Sequence, residues 1–153
     1  MPVISAGLLL YRRTGPALEV LLVHPGGPFW RRRDLGAWTI PKGEVAEGES
    51  LLEAARREFR EETSFVIDRP AVPLGHVRLT SGKIIQAFAV EGDLDATRVR
   101  SNAVEIEWPH GSGLRRTYPE VDRASWFDVP EARRRILPAQ VPLIEHLLAL
   151  VRT

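Results

Sequence analysis

The chain has no cysteine among its 153 residues. That excludes disulfides and thiolate metal sites, and it fits a reducing, cytoplasmic setting. Lysine is nearly absent: of 21 basic residues only Lys42 and Lys83 are lysine, and the rest are arginine. An excess of either charge is also missing. The formal net charge is +1, so no global field draws the protein to nucleic acid or to a membrane surface. Long apolar runs are missing as well. The stretch MPVISAGLLLYRR has no basic residues ahead of its apolar run, which is too short for a signal or a span. The last helical pattern is interrupted by Glu145 and His146. No internal repeat or low-complexity segment is present. What remains is ordinary globular composition, 44% hydrophobic and 27% charged. The length predicts one domain over residues 1–153 with a real core.

The pattern along the chain alternates strands and helices. Val3 to Tyr11 is aliphatic and reads as a buried strand, and Leu18 to His24 as a second, joined across the turn signal Thr14-Gly15-Pro16. Residues 25–34, PGGPFWRRRD, read as a loop in which Trp30 could stack a base and Arg31, Arg32 and Arg33 could hold phosphates. The other reading is a solvated loop anchored by Trp30. Trp38 to Pro41 reads as a short strand stopped by proline. A helix follows, with Ser50 as N-cap, Glu53 completing a capping box, and Leu51, Ala55 and Phe59 as the core stripe. Ala71 to Arg78 and Lys83 to Glu91 read as a strand pair, residues 92–103 as loop, and Val104 to Trp108 as a strand. Residues 125–127 read as a short strand, residues 130–136 as a helical turn, and Val141 to Val151 as a closing helix. The class is α+β with a mixed sheet.

The helix is crowded with acid. Glu58 and Glu62 stack at i, i+4 and Glu61 lies beside them. Like charges at this spacing cost helix stability, and a hard divalent cation such as Mg²⁺ would turn that cost into a site. A solvated face neutralised by Arg56, Arg57 and Arg60 is the competing reading.

The spacing carries more than the cluster does. Gly43, five residues, Glu49, seven residues, Arg57-Glu58-Phe59-Arg60-Glu61-Glu62, one residue, Ser64, Phe65 resembles the box of the Nudix hydrolases. Each fixed position matches except a second glycine, replaced here by Ser64. The resemblance implies an α/β/α sandwich with a mixed central sheet. It implies Mg²⁺ or Mn²⁺ held by Glu58 and Glu62, the carbonyl of Gly43, and Glu61 as a further ligand or water partner. It also implies that Arg57 orients the glutamates by a salt bridge and that Glu49 pairs with that network. Members of the family often add a glutamate shortly before a late tryptophan. Glu120, six positions before Trp126, is similar, with Glu107 and Glu105 as competitors. A left-handed helix exit through Ser64 would make Ser64→Gly stabilising by about 1 kcal/mol.

The run Trp38-Thr39-Ile40-Pro41-Lys42-Gly43 resembles the W-x-x-P-K-G run of Nudix enzymes that act on dinucleoside polyphosphates and diphosphoinositol phosphates. In a chain that otherwise uses arginine, Lys42 suggests a compact charge for phosphate. The implied partner is a small-molecule nucleotide, and the implied activity is cleavage of a phosphoanhydride in a nucleoside diphosphate linked to another group. A dinucleoside polyphosphate or a nucleoside triphosphate fits first. An RNA-end pyrophosphohydrolase and a non-catalytic nucleotide-binding regulator are the alternatives.

Overall fold

In the computed structural model, which describes residues 3–152, the first two strands are longer than expected. β1 (Ile4–Thr14) and β2 (Ala17–Pro25) form a hairpin around Gly15. β5 (Ile84–Glu91) runs parallel to β1, with Ile84 opposite Ile4, and β4 (Ala71–Arg78) pairs antiparallel with β5. β8 (Val121–Asp128) flanks β2. The mixed sheet has the order β4-β5-β1-β2-β8, and β3 (Lys42–Glu44) pairs with β1 off that path.

Each face of the sheet is covered, which explains why β1 reads as continuous apolar sequence instead of alternating. Ala6, Leu8 and Leu10 pack with Ala54, Ala55 and Phe59 of α1 (Leu51–Thr63) on one face. Leu9, Val20 and Leu22 pack on the other face with Leu143, Ile144 and Leu147 of α3 (Val141–Val151) and Ala132 of α2 (Val129–Arg135). The result is the expected three-layer sandwich. No helix among the described residues is long and apolar enough to cross a membrane.

Two expectations change. Trp38 to Pro41 is not a strand. Only Thr39 bridges β2 at Val23, and Trp38 bridges Ile136. The amide of Ile40 donates to the side chain of buried Gln140 instead of to a strand, and Pro41 has no N–H. Regular pairing starts at Lys42, where the chain has crossed from β2 to β1. The segment 38–44 therefore wedges between β1 and β2, whose own pairing is confined to the turn end, from Tyr11–Val20 to Thr14–Ala17. The second change is a separate two-stranded sheet. β6 (Ala103–Glu107) pairs with β7 (Arg115–Pro119), and β8 is much longer than the predicted 125–127. The sequence RRTYP of β7 is almost wholly exposed and has no alternating apolar pattern to reveal it.

α1 starts as predicted. The Ser50 hydroxyl accepts from the Glu53 amide at 3.1 Å, and the Glu53 carboxylate accepts from the Ser50 amide at 3.4 Å. It ends at Ser64 with φ 67°, the one positive-φ non-glycine residue among the described residues. The Ser64 hydroxyl donates to the carbonyl of Arg100. Glycine would relieve the left-handed strain of about 1 kcal/mol but lose this bond, worth about the same. Ser64→Gly is therefore expected to be near neutral, not stabilising. Ser64→Ala keeps the strain, loses the bond, and should lower stability by about 1 kcal/mol or more in denaturant melts.

Candidate active site

Helical periodicity puts Glu58 and Glu62 on one face of α1, and the packing of Phe59 against the sheet turns that face toward β3. Both are buried, at 8% and 4% exposure. The helix approaches so closely that a Cβ on Gly43 would collide with the Glu58 carboxylate, so any side chain there would displace that carboxylate. The Glu62 carboxylate accepts from the backbone amide of Lys42 at 3.3 Å.

The third acid arrives from far along the chain. The C-terminal turn of α1 leaves carbonyls without helical partners, and residues 100–102 supply their donors. Arg100 N–H donates to the Thr63 carbonyl at 3.1 Å and Asn102 N–H to that of Glu61 at 2.9 Å. The Asn102 carbonyl accepts from the Glu120 amide at 2.9 Å, and the Glu120 carbonyl accepts from the Gly26 amide at 2.9 Å. This backbone ladder carries Glu120, between β7 and β8, to α1. Oxygens of Glu58, Glu62 and Glu120 then lie within 4.8 Å of one another. Of the three late glutamates, Glu120 alone joins. Glu105 pairs with Arg115 at 2.5 Å, and Glu107 accepts from the Gly111 amide at 2.6 Å.

Charge follows from this crowding. Burial, then Glu120 and Glu58, push the Glu62 carboxyl up to about 9, against the opposing pull of Lys42. Glu58 is also raised by burial, with Arg57 working against the shift. Arg57 is the counterweight. It grips Glu49 with two bonds of 2.7 and 3.0 Å, donates to Glu58 at 2.8 Å and to both oxygens of Glu61 at 3.2 Å, and reaches the Glu44 carbonyl at 3.0 Å. The bond from Arg57, helped by the Ala46 amide, pulls the Glu49 carboxyl down to about 2. Glu61 thus stands beside the cluster on the arginine, not within it.

Two cavities adjoin the acids. One of about 240 Å³ is lined by Lys42, Glu62, Glu120, Trp30 and Thr39. The other, about 460 Å³, shares Pro25, Trp30 and Glu120 with it and adds Phe29, Ile106, Glu107, Trp108 and His110. The Pro25–Pro28 loop closes onto the small sheet because Gly26 and Gly27 have no side chains: a Cβ at 26 would strike the Pro119 carbonyl. His24 holds the loop from behind, fully buried, with Nδ1 2.9 Å from Asp122 and Nε2 2.6 Å from the Arg33 carbonyl. Arg31, Arg32 and Arg33 are exposed and line neither cavity, and Arg33 lies over the Phe29 ring. The sequence reading had Trp30 but not Trp108 or His110. The only signal for them was an aromatic pair beside a Pro-Gly turn, with nothing local to join that turn to Trp30. A bigger hollow than either, about 670 Å³ around Arg12, Asp93 and Trp126, contains none of the clustered acids.

The donor set fits a hard divalent ion: three carboxylates with converging oxygens, two of them buried, and one that holds a proton unless a cation replaces it. Glu62 also sets a pH dependence. Its folded pKa near 9 lies above the ordinary 4.5, so between these values the folded chain binds a proton that the unfolded chain has released. Raising pH across that window without divalent ions should therefore lower stability. Wild type in chelator is expected to lose several degrees of melting temperature between pH 6 and 9. Glu62→Gln should flatten the loss, and excess Mg²⁺ should restore wild type at pH 9. Equal slopes for the two proteins would remove Glu62 as the cause.

Comparison with known proteins bears on the family and the fold. A family model described as the NUDIX domain matches residues 1–147. The octanoyltransferase of Myxococcus xanthus is 30% identical over 136 residues, 88% of this chain and 33% of that protein. The RNA pyrophosphohydrolase of Caulobacter vibrioides is 49% identical over 53 residues, 31% of each chain. The chain spans about a third of the length of these curated relatives. Among solved structures, a Caenorhabditis elegans Ap4A hydrolase complex has the same fold, with a TM-score of 0.67 at 21% identity over 97% of this chain and 98% of that one. With the family model spanning nearly the whole chain and two box glutamates, Glu58 and Glu62, buried together, the protein belongs to the NUDIX family.

Proposed function

We propose that the protein is a divalent-metal-dependent hydrolase of a phosphoanhydride bond in a nucleotide. Its substrate would be a dinucleoside polyphosphate or a nucleoside triphosphate. The observation that carries this reading is the meeting of Glu58, Glu62 and Glu120 beside Lys42 and at the edge of an aromatic cavity. Glu58, Glu62 and Glu120, with the Gly43 carbonyl, would hold the ion, Mg²⁺ or Mn²⁺. When bound, such ions neutralise phosphate charge and orient an attacking water. The chain's own groups do the rest. Arg57 keeps Glu58 and Glu61 in place, and Glu49 fixes Arg57. Glu61 serves as a further ligand or a partner for the water. The Lys42 ammonium neutralises a phosphate oxygen beyond the reach of the ions, and Trp30 and Trp108 supply flat apolar walls for a base.

The stretch shared with the Caulobacter enzyme favours RNA 5′ ends as a second reading. It ranks lower because the arginines that would line an RNA groove do not surround the acids: Arg31, Arg32 and Arg33 lie outside both cavities and Arg115 is neutralised by Glu105.

Chromatographic separation of the cleavage products (two nucleotides, a nucleotide and a sugar phosphate, or a 5′-monophosphate and pyrophosphate) from dinucleoside polyphosphates, nucleoside triphosphates, ADP-ribose and triphosphorylated RNA, with Mg²⁺ and Mn²⁺, tests the proposal. Glu58→Gln and Glu62→Gln are expected to lose activity by orders of magnitude while remaining folded. Turnover in excess EDTA, or wild-type rates in both variants, would overturn it. Lys42→Ala should lower kcat/KM more for a dinucleoside tetraphosphate than for ADP-ribose, with Lys42→Arg a partial rescue. Equal losses on the two substrates would assign Lys42 to the common chemistry instead of to chain length.

A further inference from the structure

Glu120 is the least anchored of the three clustered acids. Glu58 is tied to Arg57 and Glu62 to the Lys42 amide, whereas the Glu120 side chain makes no hydrogen bond or ion pair among the described residues. Glu58 and Glu62 also repel it. Its place is therefore set by its backbone and by the residue that follows. Val121 begins β8 opposite Pro25, where the β2–β8 register shifts. Pro25 has no N–H to offer its strand partner. The hydroxyl of Ser101 stands in. It accepts from the Val121 amide at 3.0 Å and lies 3.0 Å from the Val121 carbonyl and 2.8 Å from that of Asn102, the two acceptors open to its proton. Val121 is buried at 6% exposure, so loss of this hydroxyl would leave its amide short of a partner away from water. Ser101 itself sits between Arg100 and Asn102, whose amides donate to the Thr63 and Glu61 carbonyls at the end of α1. One side chain thus fastens the start of β8 to the helix that carries Glu58 and Glu62.

We propose that Ser101 is a positioning residue for Glu120: its hydroxyl fixes the Glu120–Val121 peptide so that the Glu120 carboxylate stays where it can share a divalent ion with Glu58 and Glu62. A carboxylate free to swing away from two like charges binds a cation more weakly, because binding must then order it as well as hold it. Ser101 lies outside the box, lines neither cavity beside the acids, and touches no atom of the cluster, so it acts through the backbone next to Glu120. The inference rests on the metal-dependent reading above and adds to it a residue in a stretch that reads as plain loop in the sequence.

The test is Mn²⁺ binding to the free protein at one fixed pH, read from the electron paramagnetic resonance of the unbound ion. Ser101→Ala and Ser101→Thr are compared in two backgrounds, wild type and Glu120→Gln. Ser101→Ala is expected to weaken the Kd about ten-fold where Glu120 is present, as for loss of a group that orients a metal ligand. In the Glu120→Gln background the same change should stay within about three-fold, because the carboxylate it aims is gone. Ser101→Thr keeps the hydroxyl and should stay within about three-fold of wild type. Melting temperatures report whether each variant is folded. Equal losses in the two backgrounds, an unchanged Kd in Ser101→Ala, a Ser101→Thr protein as weak as Ser101→Ala, or a Ser101→Ala protein that does not fold would overturn the inference. If wild type binds Mn²⁺ but cleaves no nucleotide, the hydrolase reading fails alone, and the Kd values still decide the role of Ser101. If wild type binds no Mn²⁺, both fall.

Discussion

Three acidic side chains forced to share one small, partly buried volume is the constraint on which the rest of the structure depends. The oxygens of Glu58, Glu62 and Glu120 meet within 4.8 Å. Water cannot solvate them fully and their charges repel, so Glu62 is driven to hold a proton up to about pH 9. Much of the surrounding structure makes this arrangement tolerable. Arg57 spends its donors on Glu49, Glu58, Glu61 and the Glu44 carbonyl, and Lys42 offers an amide and a charge to Glu62. Residual strain of this kind is what a cation relieves. The same feature that weakens the empty fold thus favours the ion.

The sheet serves the site by separating. Where β1 and β2 part, the segment 38–44 enters between them, which brings Gly43 and Lys42 under α1. Pro41 helps because it has no N–H to satisfy. Trp38 anchors the crossing: at 3% exposure it packs edge-on against Phe127 and His24 and belongs to the core. The tryptophan of one short run thus packs in the core while its lysine lines the cavity beside Glu62 and Glu120.

On the open side, the Pro25–Pro28 loop and the β6–β7 hairpin form the two walls of the larger cavity. They are joined to each other and to α1 by backbone bonds through Gly26, Glu120 and Asn102. A shift of the hairpin would move Glu120 and the aromatic wall together. Acid cluster and cavity are in this sense one unit, although no stretch of sequence contains both.

Local chemistry was enough to read α1, and the layers around it were legible through the family resemblance. The capping box, the stripe through Leu51, Ala55 and Phe59, and the i, i+4 stacking of Glu58 on Glu62 depend only on helical geometry, which neighbouring residues set among themselves. The glycine at 43 and the arginine at 57 were legible through the resemblance to the Nudix box, whose fixed offsets they match. The choice of Glu120 over Glu105 and Glu107 was different. All three are ordinary glutamates near a strand, and what separates them is the ladder from Glu61 to Asn102 to Glu120, built from backbone groups that carry no residue-specific signal. The same holds for β7, for the aromatic cavity and for the exclusion of Arg31, Arg32 and Arg33 from it. The sequence by itself determined the acidic helix and its fixed partners, because those interactions span a few turns. Only the tertiary structure decided the third carboxylate and the walls of the cavity, because hydrogen bonds between distant backbones form only once the sheet and α1 have packed.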